Sequence, residues 1–420
     1  MNADDVAVSN IDNDIAGVTI TQTGGNTQLT EGGITDTYSI ALNTLPTGNV
    51  QITATADAQT QVSLDGVNFA ASQTLTFTST NGMTAQTVTV RAIDDNTTEN
   101  IHSGSITNTI TNSADANYAT TMALDSISAN ITDNDISYSL TGGSANITEG
   151  NTGSQQIVYN ITRTGATNET STVDFNFSGT ATNVADYKLV SITGTGVSTT
   201  NSTITFAPNA TSATITVEVV GEQIDEDNET LEINLVNPTA TGTASVIGSP
   251  VTTTITDDDT AGFTITPTSL TTTEAAGNAT FTVALNSQPT AEVKINLSSD
   301  NTAEGILDKP TVTFTASNWN TPQTVTVTGV DDFGDDGDIP YNIITSAATS
   351  TDAKYNGINP VDVAVTNTDN DTAGVALSST NVAAYEGGAG GSYTAVLTSK
   401  PTAPVTLNFS GGVKLILWQL

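Results

Sequence analysis

An acidic tripeptide recurs along this chain at domain-length intervals. It reads Asp12-Asn13-Asp14, Asp133-Asn134-Asp135, Asp257-Asp258-Asp259 and Asp369-Asn370-Asp371, at spacings of 121, 124 and 112 residues. A period of this size describes tandem domains rather than one large fold, so the physics of one unit accounts for most of the chain. It also gathers carboxylates at every boundary, where like charges are tolerable only if something positive lies between them.

The balance of charge narrows the partners. The chain carries 44 Asp and Glu against 8 Lys and Arg, a net charge of -36, with one His and no Cys. Such a surface repels a phosphate backbone, so no nucleic-acid partner is expected, and anionic membrane surfaces are disfavoured for the same reason. No apolar run is long enough to span a bilayer, and no direct membrane insertion is expected. A soluble extracellular module or a divalent-cation protein fits the charge. With no disulfides available, a metal is the natural staple for an exported chain. Residues 1–14 read as the tail of a preceding repeat. The repeat opening at Thr372 stops short and ends in an atypical run, Val413-Lys414-Leu415-Ile416-Leu417-Trp418-Gln419-Leu420. The chain therefore reads as a fragment of a longer protein, in which missing export signals mean little.

The strand signal is strong. In Gln86-Thr87-Val88-Thr89-Val90-Arg91-Ala92 the valines take one parity and Thr and Arg the other, and Thr214-Ile215-Thr216-Val217-Glu218-Val219 and Leu231-Glu232-Ile233-Asn234-Leu235 do likewise. Period-two alternation gives each strand one core face and one solvent face. Phe77 to Val90 aligns with Phe314 to Val327, and the same offset of 237 carries Asp115-Ala116-Asn117-Tyr118 onto Asp352-Ala353-Lys354-Tyr355. Leu42-Asn43-Thr44-Leu45-Pro46-Thr47 returns as Leu285-Asn286-Ser287-Gln288-Pro289-Thr290 and reads as a hairpin-like turn between alternating runs. No segment has helical periodicity. The fold class expected is all-β, tandem Greek-key (immunoglobulin-like) β-sandwich domains. Repeats are expected at 15–135, 136–259 and 260–371, with 372–420 a truncated fourth.

Three acidic positions recur in phase. An early Glu (Glu31, Glu149, Glu274, Glu386) lies 16 to 19 residues after the first Asp of the preceding tripeptide. A late cluster follows: Asp94-Asp95 with Glu99; Glu222 with Glu226 and Glu229; Asp331-Asp332 with Asp335, Asp336 and Asp338. The closing acids Asp133, Asp135, Asp257, Asp258, Asp259, Asp369 and Asp371 come last. Sandwich loops from distant parts of the chain meet at one end, so the three sets are expected to converge there. Calcium takes six to eight oxygen ligands without rigid geometry, whereas nitrogen- and sulfur-preferring metals find one His and no Cys. An isolated Asp-Asn-Asp is as readily a solvated turn, and only the recurrence in phase favours ion sites. His102 reads as a solvent-facing strand residue, and Trp319 as turn packing.

The second repeat also carries a family resemblance. Ile161-Thr162-Arg163-Thr164-Gly165, Val173-Asp174-Phe175, Gly179-Thr180-Ala181, Asp186-Tyr187, Ile204-Thr205-Phe206, Glu226-Asp227-Asn228-Glu229-Thr230-Leu231 and the closing Asp257-Asp258-Asp259 occur in order. This segment resembles a Calx-beta domain, the calcium-binding sandwich found in sodium–calcium exchangers and many bacterial surface proteins. The flanking repeats resemble a divergent variant. The resemblance implies calcium ligands at Glu149, Asp186, Glu222, Glu226, Asp257, Asp258 and Asp259. One departure stands out: the late pair, usually two aspartates, reads Gly221-Glu222 here. Repeats one and three keep the pair but have no clear counterpart of Asp186.

The function expected is a non-catalytic, calcium-rigidified stalk or adhesin at a cell surface, whose protein or glycan ligands are met by regions outside this fragment. Alternatives are accessory repeats of a large secreted hydrolase, or a calcium-sensing module of a membrane protein. A catalytic carboxylate pair occurs once on a scaffold, whereas these acids repeat in every unit.

Overall fold

A computed structural model describes residues 8–11, 13–383, 386–388 and 390–410. Asp12 and the run from Val413 to Leu420 lie outside the described residues. By internal contacts the chain forms two compact units. One runs to Ile147 and adds Gln155–Val220 and Glu229–Ile255; the other comprises Thr148–Ser154, Gly221–Asn228 and the chain from Thr256 onward.

The architecture is a series of Greek-key, immunoglobulin-like β-sandwiches. The first is built from β1 (Val18–Gln22), β2 (Thr27–Thr30), β3 (Asp36–Leu42), β4 (Val50–Ala56), β5 (Thr60–Ser63), β6 (Ser72–Phe77), β7 (Gln86–Ala92), β8 (His102–Ser113) and β9 (Ile127–Thr132). One sheet has the order β1-β3-β7-β5 and the other β2-β9-β8-β4-β6. The strands from Phe263–Thr266 to Val363–Thr368 repeat both orders strand for strand, as the matched segments of the sequence require. The middle sandwich has sheets of five and six strands.

Alternation sorts the side chains as expected. Val88, Val90 and Ala92 of β7 are buried while Thr87 and Arg91 are exposed. Ala213, Ile215, Val217 and Val219, and Leu231, Ile233 and Leu235, join the middle core. Trp319 packs in the third core beside Leu285 and Tyr355. Burying each such aliphatic side chain contributes about 1.5–3 kcal/mol. Arg163 is also buried; its guanidinium donates to Ser171 Oγ and to the carbonyls of Thr167 and Glu169, so its charge is hydrogen-bonded rather than abandoned.

The segment from Leu42 to Thr47 differs from its expectation. It is not a hairpin: β3 pairs with β1 and β7, whereas β4 pairs with β6 and β8, so the loop carries the chain from one sheet to the other. Its anchor is the second shared motif. Tyr118 Oη donates to the Thr44 carbonyl at 2.9 Å and accepts the Thr44 N–H at 3.1 Å, while Asp115 Oδ2 accepts the Thr47 N–H at 2.7 Å. Tyr355 and Asp352 hold Ser287 and Thr290 in the same way. The two motifs keep one offset because each loop must meet its own clamp. Tyr118→Phe leaves two part-buried backbone groups of Thr44 without this partner. It should lower unfolding free energy by about 1–3 kcal/mol with little change in m-value, read by urea denaturation.

Candidate metal centres

A parallel ladder sets the position of the early Glu. Strand β2 runs parallel to β9 with Thr30 opposite Thr132, so Glu31 emerges beside Asp133, and the Glu31 N–H bonds the Thr132 carbonyl at 3.1 Å. The third sandwich pairs Thr273 with Thr368 in parallel and places Glu274 beside Asp369, with the same bond at 3.1 Å. Glu149 N–H likewise bonds the Thr256 carbonyl at 3.2 Å. Two strand ends pointing the same way are what bring residues about a hundred apart in sequence to one rim.

Within each triplet the acids divide their work. The first Asp folds the exit. Asp133 Oδ1 accepts the Asp135 N–H at 2.7 Å and its Oδ2 accepts the Glu99 N–H; Asp257 serves Asp259 and Glu226 at 2.9 Å each; Asp369 serves Asp371 at 2.7 Å and Gly337 at 2.8 Å. The third Asp keeps an oxygen without a hydrogen-bond partner: Asp135 Oδ2, Asp259 Oδ2 and Asp371 Oδ2 are buried and unpaired. So are Glu31 Oε2 and Glu149 Oε1, on side chains only 3% and 4% exposed. Buried carboxylate oxygens are costly without a partner, and here they face one another.

The first rim brings Glu31, Asp95 and Asp135 together, with one oxygen of each within 4.8 Å of the others. Asp94 stands at its edge, accepting from Asn134 Nδ2 at 3.1 Å. In the third rim Glu274, Asp331 and Asp371 converge within the same limit. Asp332 instead closes a local turn on the Gly334 N–H, and Asp336 is exposed and outside these three-acid clusters. At the second rim Glu222, Asp257, Glu226 and Asp258 all raise the pKa of Glu149. Asp258 Oδ1 also accepts the Gly150 N–H at 3.0 Å. Asp186, in the other compact unit, is buried and accepts both the N–H and Oγ1–H of Thr182.

The departure at Gly221 has a steric cause. A Cβ there would lie 2.2 Å from the Gly150 carbonyl oxygen and 2.8 Å from that of Glu149, so no aspartate fits. Gly165, at φ +88, likewise leaves room for the Asp135 carbonyl, which would stand 2.2 Å from a Cβ. That carbonyl accepts the Ala166 N–H, and Thr243 N–H donates to Asp135 Oδ1, seating the first exit on the second sandwich.

Several participants escaped the sequence reading. Asp225 Oδ2 accepts the Ala261 N–H and Asp335 Oδ2 that of Ala373; the Thr-Ala-Gly shared by these two exits was the available signal. Lys354 Nζ reaches Asp225 Oδ1 at 3.0 Å, Asp227 Oδ1 at 2.9 Å and the Glu226 carbonyl at 2.8 Å. His102 is not a solvent-facing strand residue. Its ring is partly buried, 3.6 Å from Glu31 Oε1 and 3.2 Å from Glu99 Oε2.

Burial, and after it Asp133 and Asp95, pushes Glu31 up to about 7; burial followed by Glu222 and Asp257 pushes Glu149 to about 8; burial chiefly pushes Glu274 to about 7. The folded, ion-free chain therefore keeps protons that the unfolded chain releases near 4.5. These three groups contribute stability that is fully present below about pH 4.5 and is lost as pH rises through about 7 to 8. Thermal midpoints of metal-stripped protein should decline from pH 5 to 8.5, and calcium should flatten that decline; a midpoint that rises with pH in the stripped protein contradicts this electrostatic account. Substitutions should also split by position. Asp133→Ala should cost on the order of 3 kcal/mol with or without calcium, because two charge-assisted bonds to backbone N–H groups are lost. Asp135→Asn should be neutral or stabilising in chelator and lose most of the gain in calcium, read by paired melts.

The Calx-beta domain profile matches residues 50–135, 132–259 and 256–371, well over half of the chain. Among solved structures the chain is similar to CBD12 from CALX1.2, at 17% identity over 51% of this chain and 83% of that one, TM-score 0.26. It is similar to the calcium binding domain CBD12 of CALX1.1 at 19% identity, covering 50% and 80%, TM-score 0.26. The apo-form Calx CBD1 domain shares 22% identity over 29% of this chain and 98% of that one, TM-score 0.22. No curated protein matches the chain.

Proposed function

The chain belongs to the Calx-beta family, and on that premise we propose that it is a calcium-binding repeat region whose ions stiffen an extracellular stalk or adhesin. Calx-beta domains are non-catalytic calcium-binding modules. The observation that carries the reading is the set of buried, unpaired carboxylate oxygens at the strand exits, on Glu31, Asp135, Glu149, Asp259 and Asp371. All are hard oxygen donors, the set that calcium prefers and that softer metals do not need.

Glu31, Asp95 and Asp135, with Asp94 and Asp133 behind them, would hold an ion at the first rim. Glu149, Glu222, Glu226 and Asp257 to Asp259 would do so at the second. Glu274, Asp331, Asp369 and Asp371 would serve the third, with Asp332 and Asp336 as outer acids. Bound calcium neutralises these clusters. Two charges about 4 Å apart interact by roughly 4 kcal/mol at an effective dielectric near 20, so ion-free rims repel and ion-filled rims bind the exit to the late loop. The exit is also the link to the next repeat, which makes the ion a brake on hinge motion.

Placement outside the cell rests on the calcium reading, since a chain of net charge -36 with oxygen-donor clusters suits an extracellular calcium-binding module. Among the described residues no helix is long and apolar enough to cross a membrane. The recurrence of the acids in every repeat supports a structural rather than a catalytic use.

The test is the thermal midpoint of the whole chain in excess calcium, in magnesium and in chelator, with small-angle scattering alongside. At free calcium 100 times Kd each site adds about 2.7 kcal/mol. For domains of this size that is a rise of roughly 10 °C, with loss of flexibility in the scattering curve and a smaller effect from magnesium. Equal midpoints in calcium and chelator sink the proposal.

A further inference from the structure

The first rim differs from the other two in holding the chain's single histidine. His102 opens β8 opposite Ile131. The same register position holds Glu229, opposite Ile255, in the second sandwich and Ile339, opposite Asn367, in the third. Only the first repeat therefore offers a nitrogen donor beside the early Glu.

The ring is oriented as a metal-binding imidazole would be. Nδ1 lies 3.2 Å from the Asn100 carbonyl oxygen and 3.2 Å from Glu99 Oε2. The Asn100 carbonyl can only accept, which places the proton on Nδ1 and leaves the lone pair on Nε2. Nε2 is buried with no hydrogen-bond partner, and the nearest acid oxygen, Glu31 Oε1, stands 3.6 Å away, too far for a hydrogen bond. Ligands of a tetrahedral zinc, each about 2.0–2.1 Å from the ion, stand about 3.4 Å apart, close to this separation. Glu31 Oε2 and Glu99 Oε2 are also buried and unpaired, and one donor atom each of Glu31, Glu99 and His102 lies within 4.8 Å of the others.

We propose that Glu31, Glu99 and His102 form a subsite for a borderline divalent transition ion, Zn2+ foremost, distinct in ligand chemistry from the all-oxygen rims of the second and third repeats. One nitrogen and two carboxylates suit zinc, with solvent completing four-coordination, whereas calcium gains nothing from an imidazole. Glu31 lies in both this subsite and the Glu31–Asp95–Asp135 cluster, so its carboxylate is the bridge between the two.

A single histidine makes the test direct. Long-range imidazole 1H–15N spectra of the uniformly labelled whole chain, recorded in saturating calcium, should show the Nε2 resonance moving to its metal-bound position on adding one equivalent of Zn2+, with Mg2+ leaving it in place. Calorimetric Zn2+ titration in the same buffer should show one site that His102→Ile weakens on the order of 100-fold and Glu99→Gln weakens less. An imidazole that still titrates freely with pH in the presence of Zn2+ overturns the proposal, as does an unchanged isotherm for His102→Ile. Repeating the spectra without calcium separates this result from the calcium reading, because the imidazole reports on this subsite alone.

Discussion

The parallel ladder between the second and last strands of a sandwich is the constraint from which the rest follows. Antiparallel pairing would send the two strand ends to opposite rims. Parallel pairing sends Glu31 and Asp133, or Glu274 and Asp369, out of the same rim one residue beyond their last paired threonines. The late loop arrives there as well, because β8 returns antiparallel to β9 with His102 opposite Ile131. Three sequence-distant acidic segments thus share one edge by topology, before any attraction between them exists. What exists instead is a cost: burial first, and the neighbouring acids after it, raise the pKa values of the early glutamates.

The exits tolerate this because their backbone is braced by the same acids. The first Asp of a triplet spends both oxygens on N–H groups, one in its own turn and one in the late loop. In Asp369 the N–H groups of Asp371 and Gly337 hold the carboxyl below the usual carboxylate range. The third Asp and the early Glu retain free lone pairs in a buried setting. The division is between charge used to build the loop and charge held for a cation. Lys354 illustrates the alternative, a covalently attached cation placed on Asp225 and Asp227, where the first repeat has Asn117 at the aligned position.

Much of this was legible in the sequence. The period of the triplets and the alternation in Gln86–Ala92 carry the tandem all-β architecture, since one face of each strand must be apolar. The phase of Glu31, Asp95 and Asp135 also pointed to convergence. Sheet membership was not legible: alternation marks a strand but says nothing of its partners, so the Leu42–Thr47 loop looked like a hairpin while it in fact crosses between sheets. His102 escaped because strand parity assigns a face and is blind to the rim, where the first residue of β8 meets loops rather than solvent. Gly221 looked like a lost ligand, and only the carbonyls of Glu149 and Gly150 reveal why a side chain is barred there. Asp336, by contrast, shared the composition of its neighbours without sharing their burial.

Each acidic constellation draws its early Glu, its late loop and its closing triplet from a single period of the chain, as Glu31, Asp95 and Asp135 do in the first. Among the described residues no constellation borrows a defining carboxylate from the period before or after it. Unequal recombination between gene segments that encode whole periods would therefore add or remove complete ion-facing rims and never leave half of one. The number of ion-facing rims is thus a quantity that inheritance can change in whole steps while the chemistry of every remaining rim stays the same.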